Sequence, residues 1–341
     1  FYNRHPFRRI KYNQSMNLSK VFVTRKIPEN GLALLRDQVD AEIWPEFLPP
    51  SPEILLDKVR GVDGLLCLLT DRIDAKLMDA AVELRVISQF AVGYDNIDMP
   101  AATARSIPVG NTPGVLTDAT ADFAWALLMA AARRVSEGDR FARSGEWKTW
   151  GPTFLLGPDV SHATLGIVGF GRIGQAVARR ARGFDMKILY TDNSRKPELE
   201  QDLGAVFASL DEILSQADYI SLHTPLTPET HHLISHAQFA RMKPGAILIN
   251  TARGGIVDPQ ALYEALRARR IAAAAVDVTE PEPIPANSPL LSLDNLIVTP
   301  PIASASIQSR DKMAEMAAAN LLAGLRGEHL PNCVNPEVYS R

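Results

Sequence analysis

The chain has 341 residues, is 46% hydrophobic and 22% charged, and carries a formal net charge of −3. That balance suits a globular protein of about two domains, and gives no basic surface for nucleic acid or an anionic membrane. No apolar run reaches the roughly 18 residues a spanning helix needs. Cys67 and Cys333 make neither a disulfide framework nor a metal site. No metal is expected, and a reducing, cytoplasmic compartment is the simplest expectation.

Residues 1–15 carry Arg4, Arg8, Arg9 and Lys11 and no acid. They lack the apolar core of a secretory signal. Residues 1–19 are therefore taken as a frayed arm or a start-site artefact rather than a targeting segment. From residue 20 to 108, short apolar runs alternate with helical patterns. Val21–Thr24, Gly64–Leu69 and Val86–Phe90 are expected as strands, with Leu32, Leu34 and Leu35 on a helix after Pro28. Continuous apolar strands between helices indicate a parallel sheet covered on both faces.

An alanine-rich helix is predicted over about 118–134, with Phe123, Trp125, Leu127, Leu128 and Met129. It is apolar on most of its surface and so buried on several sides. An irregular aromatic stretch follows at 145–157, with Trp147, Trp150 and Phe154. Strand–helix alternation then resumes. Six strands are expected, near 167–168, 188–190, 219–222, 246–250, 273–276 and 296–298, which matches a dinucleotide-binding sheet. A last helix, about 304–324, finds no partner in that sheet and is expected to cross back onto the first segment. The fold class is thus α/β, with two Rossmann-like, doubly wound parallel sheets. One domain is discontinuous, 20–110 plus 303–341; the other is 111–302; the active site is expected in the cleft between them.

The most informative stretch is Thr164-Leu-Gly-Ile-Val-Gly169-Phe-Gly171-Arg-Ile-Gly174. An apolar strand enters a glycine turn and a helix leaves it. At this spacing Gly169 allows the tight turn, Gly171 removes the side chain that would block a pyrophosphate, and Gly174 lets the helix sit close to the strand. The helix N-terminus then offers free N–H groups to the anion. Asp192 ends the next strand, where an acid can accept hydrogen bonds from a ribose diol and repel a 2′-phosphate. NAD(H) is therefore the preferred cofactor. Arg195 and Lys196 argue weakly for NADP(H), which stays possible.

In an open parallel sheet, ligands bind outside the carboxyl ends of the strands. Asn250 to Gly255, Asp277, Glu280 with Glu282, and Thr299-Pro300-Pro301 all fall at such ends. Arg253 is flanked by small residues, so a substrate carboxylate could reach its guanidinium fork, and one N–H could polarise a neighbouring carbonyl. Taken singly, Arg253 fits a surface ion pair and Glu282 a solvated loop acid equally well. Their gathering at successive strand ends argues for a site.

From about Lys20 to Cys333 the chain resembles the D-isomer-specific 2-hydroxyacid dehydrogenase family, and within it the glyoxylate/hydroxypyruvate reductase branch. The resemblance rests on Val92-Gly93-Tyr-Asp-Asn-Ile-Asp98, Asn111-Thr-Pro-Gly-Val-Leu-Thr117, the glycine turn, His223-Thr-Pro-Leu-Thr227, Lys243 to Asp258, and Asp277-Val-Thr-Glu-Pro-Glu282. It implies that Arg253 binds the carboxylate of a 2-keto acid and polarises its carbonyl, with the backbone at Val92 and Gly93 on the carboxylate's other side. It implies that Asp277 holds the nicotinamide amide. Further cofactor contacts would fall on Thr117, Arg172, Ile173, Thr224, Pro225, Thr251 and Ala252. Trp150 resembles a tryptophan that reaches a neighbouring subunit's active site, and helix 118–134 resembles the family's dimer helix, so a homodimer is expected. The product would be the D-2-hydroxy acid.

One position departs from the family pattern. The general-acid histidine, which Glu282 would hold and tune, is replaced by Pro301 in Thr299-Pro300-Pro301-Ile302. Proline has no titrating proton, and no histidine occurs between His236 and His329. His223, His231 or His232 would have to arrive from elsewhere in the fold, which is not expected under the geometric demand on a general acid. The chain could be an impaired variant, a binding protein, or an enzyme whose proton donor has moved, to water for example. The reading is a glyoxylate or hydroxypyruvate reductase impaired at the proton-transfer step. The alternative from another class is a catalytically weak NAD(H)-binding regulator or scaffold.

Overall fold

The computed structural model describes residues 18–340. The expectation for residues 1–15 lies outside them. The chain divides into two compact units: the described residues up to Thr112 with those from Ala314 on, and Pro113–Met313. The second crossing falls inside the helix Ile307–Leu325, later than the expected boundary at 302/303. The reason is packing: from Ala314 on, that helix lies against the first sheet. Ser88 Oγ donates to the Ala317 carbonyl at 2.8 Å, and Gly324 sits where an added Cβ would stand 2.5 Å from Val86.

The first unit contains β1 (Lys20–Val23), β2 (Asp40–Ile43), β3 (Gly64–Cys67), β4 (Val86–Gln89) and β5 (Val109–Gly110). They form one parallel sheet in the order β2-β1-β3-β4-β5. All four residues of β3 and of β4 are buried, as continuous apolar strands require. The expected strand 64–69 stops at Cys67, because Leu69 is already 43% exposed. The edge strands β2 and β5 were not foreseen.

Asn320 is fully buried in this unit and ties three segments together. Its amide donates to the Asn111 carbonyl at 2.9 Å and its oxygen accepts from the Asn332 N–H at 3.0 Å. Both cysteines are free thiols.

The second unit contains β6 (Thr164–Val168), β7 (Lys187–Thr191), β8 (Ala205–Phe207), β9 (Tyr219–Leu222), β10 (Ile247–Asn250), β11 (Ala273–Val276) and β12 (Leu296–Val298). The sheet is parallel, in the order β12-β11-β10-β9-β6-β7-β8. It has seven strands rather than six. The addition is β8, whose Val206 and Phe207 are exposed at the sheet edge. Strand order reverses between β6 and β9, which is where an open α/β sheet holds its ligand.

The helix Thr117–Ala132 spends most of its apolar surface inside this unit. Trp125, Leu127 and Leu128 are buried. Trp125 donates from Nε1 to the Val177 carbonyl at 3.1 Å and stacks on Phe184. Among the described residues, no helix is long and apolar enough to cross a membrane.

Replacing Asn320 with Leu keeps volume but strands the Asn111 carbonyl and the Asn332 N–H. Each buried group left unpaired costs about 1–3 kcal/mol, so N320L should lower unfolding free energy by at least about 2 kcal/mol in a denaturant titration. A loss under about 0.5 kcal/mol, the range of neutral surface changes, would show that the amide is not a structural tie.

Candidate active site

The glycine turn after β6 lies at the reversal of strand order. Gly169 has φ +93°, and an added Cβ would stand 2.6 Å from the His223 carbonyl carbon and the Thr224 nitrogen. The turn therefore rests directly on the segment leaving β9. A Cβ on Gly174 would stand 2.2 Å from the Gly169 carbonyl oxygen, so the helix Arg172–Ala181 can approach the strand only with glycine there. Gly171 differs. Its φ is −73°, and a Cβ there would meet nothing within 4 Å. The protein's own packing does not need glycine at 171. The open cradle in front of it, at a helix N-terminus, suits a dinucleotide pyrophosphate. Arg172 and Ile173 open that helix.

Asp192 follows β7 and closes one side of the turn. One carboxylate oxygen accepts from the Phe170 N–H at 3.2 Å and from Lys196 Nζ at 2.6 Å; the other accepts from the Asn193 N–H at 2.7 Å. Partial burial opposes ionisation, but these hydrogen bonds outweigh it and hold the carboxyl below its ordinary range. Arg195 is held by Glu200 through Nε and Nη2 at 2.8 Å.

The loop after β10 is shaped by Asn250, which is 1% exposed. Its side chain donates to the Arg253 carbonyl at 2.8 Å and accepts from the Ala252 N–H at 3.0 Å. Arg253 Nη1 donates to the Ala252 carbonyl at 2.8 Å. Gly254 presses on the loop after β11: a Cβ there would stand 2.0 Å from the Thr279 carbonyl oxygen. Glu282 lies on that second loop and accepts from the Thr279 N–H at 3.2 Å. The loops carrying Arg253 and Glu282 are thus in backbone contact. Thr251 Oγ1, beside them, is buried and has no hydrogen-bond partner among the described residues.

Asp277 organises the loop after β12. It is 2% exposed and accepts from Thr299 Oγ1 at 2.8 Å, the Ile302 N–H at 2.9 Å and the Ala303 N–H at 2.8 Å. Burial nevertheless pushes its pKa up, against these hydrogen bonds. The three anchors skip position 301. Proline therefore sits in this turn without costing a hydrogen bond, and its ring is exposed.

The histidines are the surprise. His223 bonds Ser221 Oγ at 2.8 Å, and burial pushes its pKa down to about 4, so it is neutral near pH 7 and cannot serve as an acid there. His231 and His232 both reach Glu280, at 3.3 and 2.6 Å. Glu280 lies 49 and 48 residues away in the chain, so no local spacing could have signalled the pair.

The other site residues have these places. Thr117 begins the helix Thr117–Ala132. Thr224 lies under the glycine turn, and the Pro225 carbonyl accepts from Thr230 Oγ1 at 2.7 Å. Trp150 is 80% exposed. Val92 and Gly93 belong to the first unit; their carbonyls accept from Asn111 at 2.8 Å and Gln89 at 3.2 Å.

A family model described as D-isomer specific 2-hydroxyacid dehydrogenase, NAD binding domain, matches residues 125–303. The chain belongs to this family. The glyoxylate reductase of Korarchaeum cryptofilum is 54% identical over 320 residues, 94% of this chain and 96% of that protein. A solved structure from Thermus thermophilus, the TT0316 protein, is 50% identical with a TM-score of 0.88, covering 92% of this chain and 99% of that one. An NADPH-dependent glyoxylate/hydroxypyruvate reductase from Sinorhizobium meliloti, solved with NADP and malonate, is 30% identical with a TM-score of 0.81, covering 93% and 97%. The chain is an oxidoreductase of the glyoxylate reductase branch of this family, and its second unit is the nicotinamide cofactor domain.

The glycine geometry separates ligand from fold. Gly171→Ala should leave stability within about 0.5 kcal/mol of wild type yet weaken NADH binding at least tenfold in a fluorescence titration. Gly169→Ala should cost about 1–3 kcal/mol through backbone strain. Unchanged NADH affinity in Gly171→Ala would remove the cradle from the cofactor site.

Proposed function

We propose that this dehydrogenase binds its cofactor normally and reduces glyoxylate or hydroxypyruvate slowly, to the D-2-hydroxy acid. The carrying observation is Pro301, seated where the family places its proton donor, in a turn whose anchoring by Asp277 is intact. When bound, the reduced nicotinamide supplies a hydride. Arg253 binds the keto-acid carboxylate and polarises the carbonyl. The carbonyl oxygen must still gain a proton, and residue 301 has none to give. Glu282 lies on the adjoining loop with no imidazole at 301 to orient. A general acid is worth roughly 10²–10⁴ in rate, so positioning by Arg253 and the cofactor leaves a residual activity with water as the proton source.

Pro301→His should raise kcat on glyoxylate by roughly 10²–10⁴. Glu282→Gln should change the parent little and the Pro301→His enzyme strongly, the non-additivity of two groups acting as one. A parent already turning over near the typical ~10 s⁻¹, and unimproved by the histidine, would mean that the donor has moved. No turnover in either form, with tight NADH binding, would favour the regulator reading that Pro301 also supports.

The cofactor is NAD(H) in preference to NADP(H). The ionised Asp192 repels a 2′-phosphate, and Arg195 is engaged by Glu200. Lys196, on Asp192, is a cation placed to oppose this. NADH should bind more tightly than NADPH, and Asp192→Ala should narrow the gap. Equal or tighter NADPH binding by the parent would refute the argument.

The chain pairs as a homodimer through the helix Thr117–Ala132. Ala119, Phe123, Ala126 and Ala130 share one face at helical spacing and stay partly or fully exposed. Sedimentation at micromolar concentration should give twice the chain mass; a monomer would remove this assembly.

A further inference from the structure

We propose that His231, His232 and Glu280 form a binding site for a borderline divalent cation of the zinc or nickel type, separate from the reductase chemistry. The donor atoms of all three lie within 4.8 Å of one another. Both imidazole Nε2 atoms face the same carboxylate, His232 at 2.6 Å and His231 at 3.3 Å, one on each oxygen. The rings stack with centroids 3.9 Å apart and 21° between planes, and both present a nitrogen to that carboxylate. A tetrahedral ion about 2.0–2.1 Å from each ligand needs donors about 3.3 Å apart. Small side-chain shifts reach that arrangement.

The frame that carries these donors is backbone. His232 has φ 52° and donates its N–H to the Gly255 carbonyl at 2.7 Å, and Ile234 donates to the Ile256 carbonyl at 3.0 Å. A Cβ on Gly255 would stand 3.3 Å from Glu280 Oε1 and 3.4 Å from His231 Cδ2. Both side chains thus lie over this glycine, and Gly254 pins the Glu280 loop from beneath through Thr279. The side chains are 49%, 36% and 37% exposed. Solvent can therefore fill the remaining coordination positions. Two imidazoles and one carboxylate select zinc, nickel or copper over magnesium or calcium, which prefer all-oxygen sites. The Glu280 carboxylate also offsets half of the charge of the ion.

The test uses the full chain, stripped by chelator and titrated with ZnCl2 by calorimetry. One zinc ion per chain should bind in the micromolar range or tighter, and MgCl2 should not compete. Glu280→Gln and His232→Gln should each weaken zinc at least tenfold, and His231→Gln/His232→Gln together should abolish the site. His236→Gln, whose imidazole pairs with Glu264, should leave it unchanged. If a variant fails to fold, X-ray absorption of the zinc-loaded parent decides, with two imidazoles and oxygen donors expected. Millimolar binding, or binding kept by the double variant, would overturn the proposal and leave a hydrogen-bonded triad only.

Discussion

The strand-end loops of the second unit are held together by backbone contacts that only glycine permits. The turn after β6 rests on the segment after β9 through Gly169, and the loop after β10 rests on the loop after β11 through Gly254. Each contact brings two backbones closer than any Cβ would allow. Loops that leave separate strands therefore pack into one surface. The glycine cradle, the Arg253 loop, the Glu282 loop and the two histidines on Glu280 all take their positions from it. A site assembled from successive strand ends needs such a constraint, because loops anchored only at their own strands would scatter their side chains.

Asp277 adds a second kind of order. It is a buried carboxylate that converts two backbone N–H groups and a hydroxyl into the shape of the loop after β12. Burial raises its pKa while the hydrogen bonds oppose the rise. The shape therefore depends on donors at 299, 302 and 303 and not on residue 301. The turn accommodates a proline at 301 without giving up any of these hydrogen bonds.

Much of this was legible in the sequence because it rests on short-range pattern. The buried strands β3, β4, β9 and β10 are short, mainly apolar runs between helical patterns, and the glycine turn carries its spacing in plain view. The misses share a cause. Strands β2, β5 and β8 are only two to four residues long and lie at sheet edges, too short for a repeating pattern to announce them. The last helix was expected to belong wholly to the first segment, but its first turns lie in the second unit. The meeting of His231 and His232 with Glu280 depends on how two distant loops cross, which no window of residues contains. The alanine-rich helix was expected to be buried on several sides, and its own unit's sheet and neighbouring helix take up most of its apolar surface.

The glycines of the cofactor turn also divide by what would preserve them. Gly169 and Gly174 are required by the fold, so any screen that demands only soluble, folded protein would keep them. A side chain at 171 would meet nothing that the described residues supply. Under selection for folding alone that position would drift to alanine or serine. Under selection for growth on the reaction it would not. The residue that persists at 171 across a mutagenised population would thus record whether this chain is still being used to hold a dinucleotide, even where its turnover is too slow to follow.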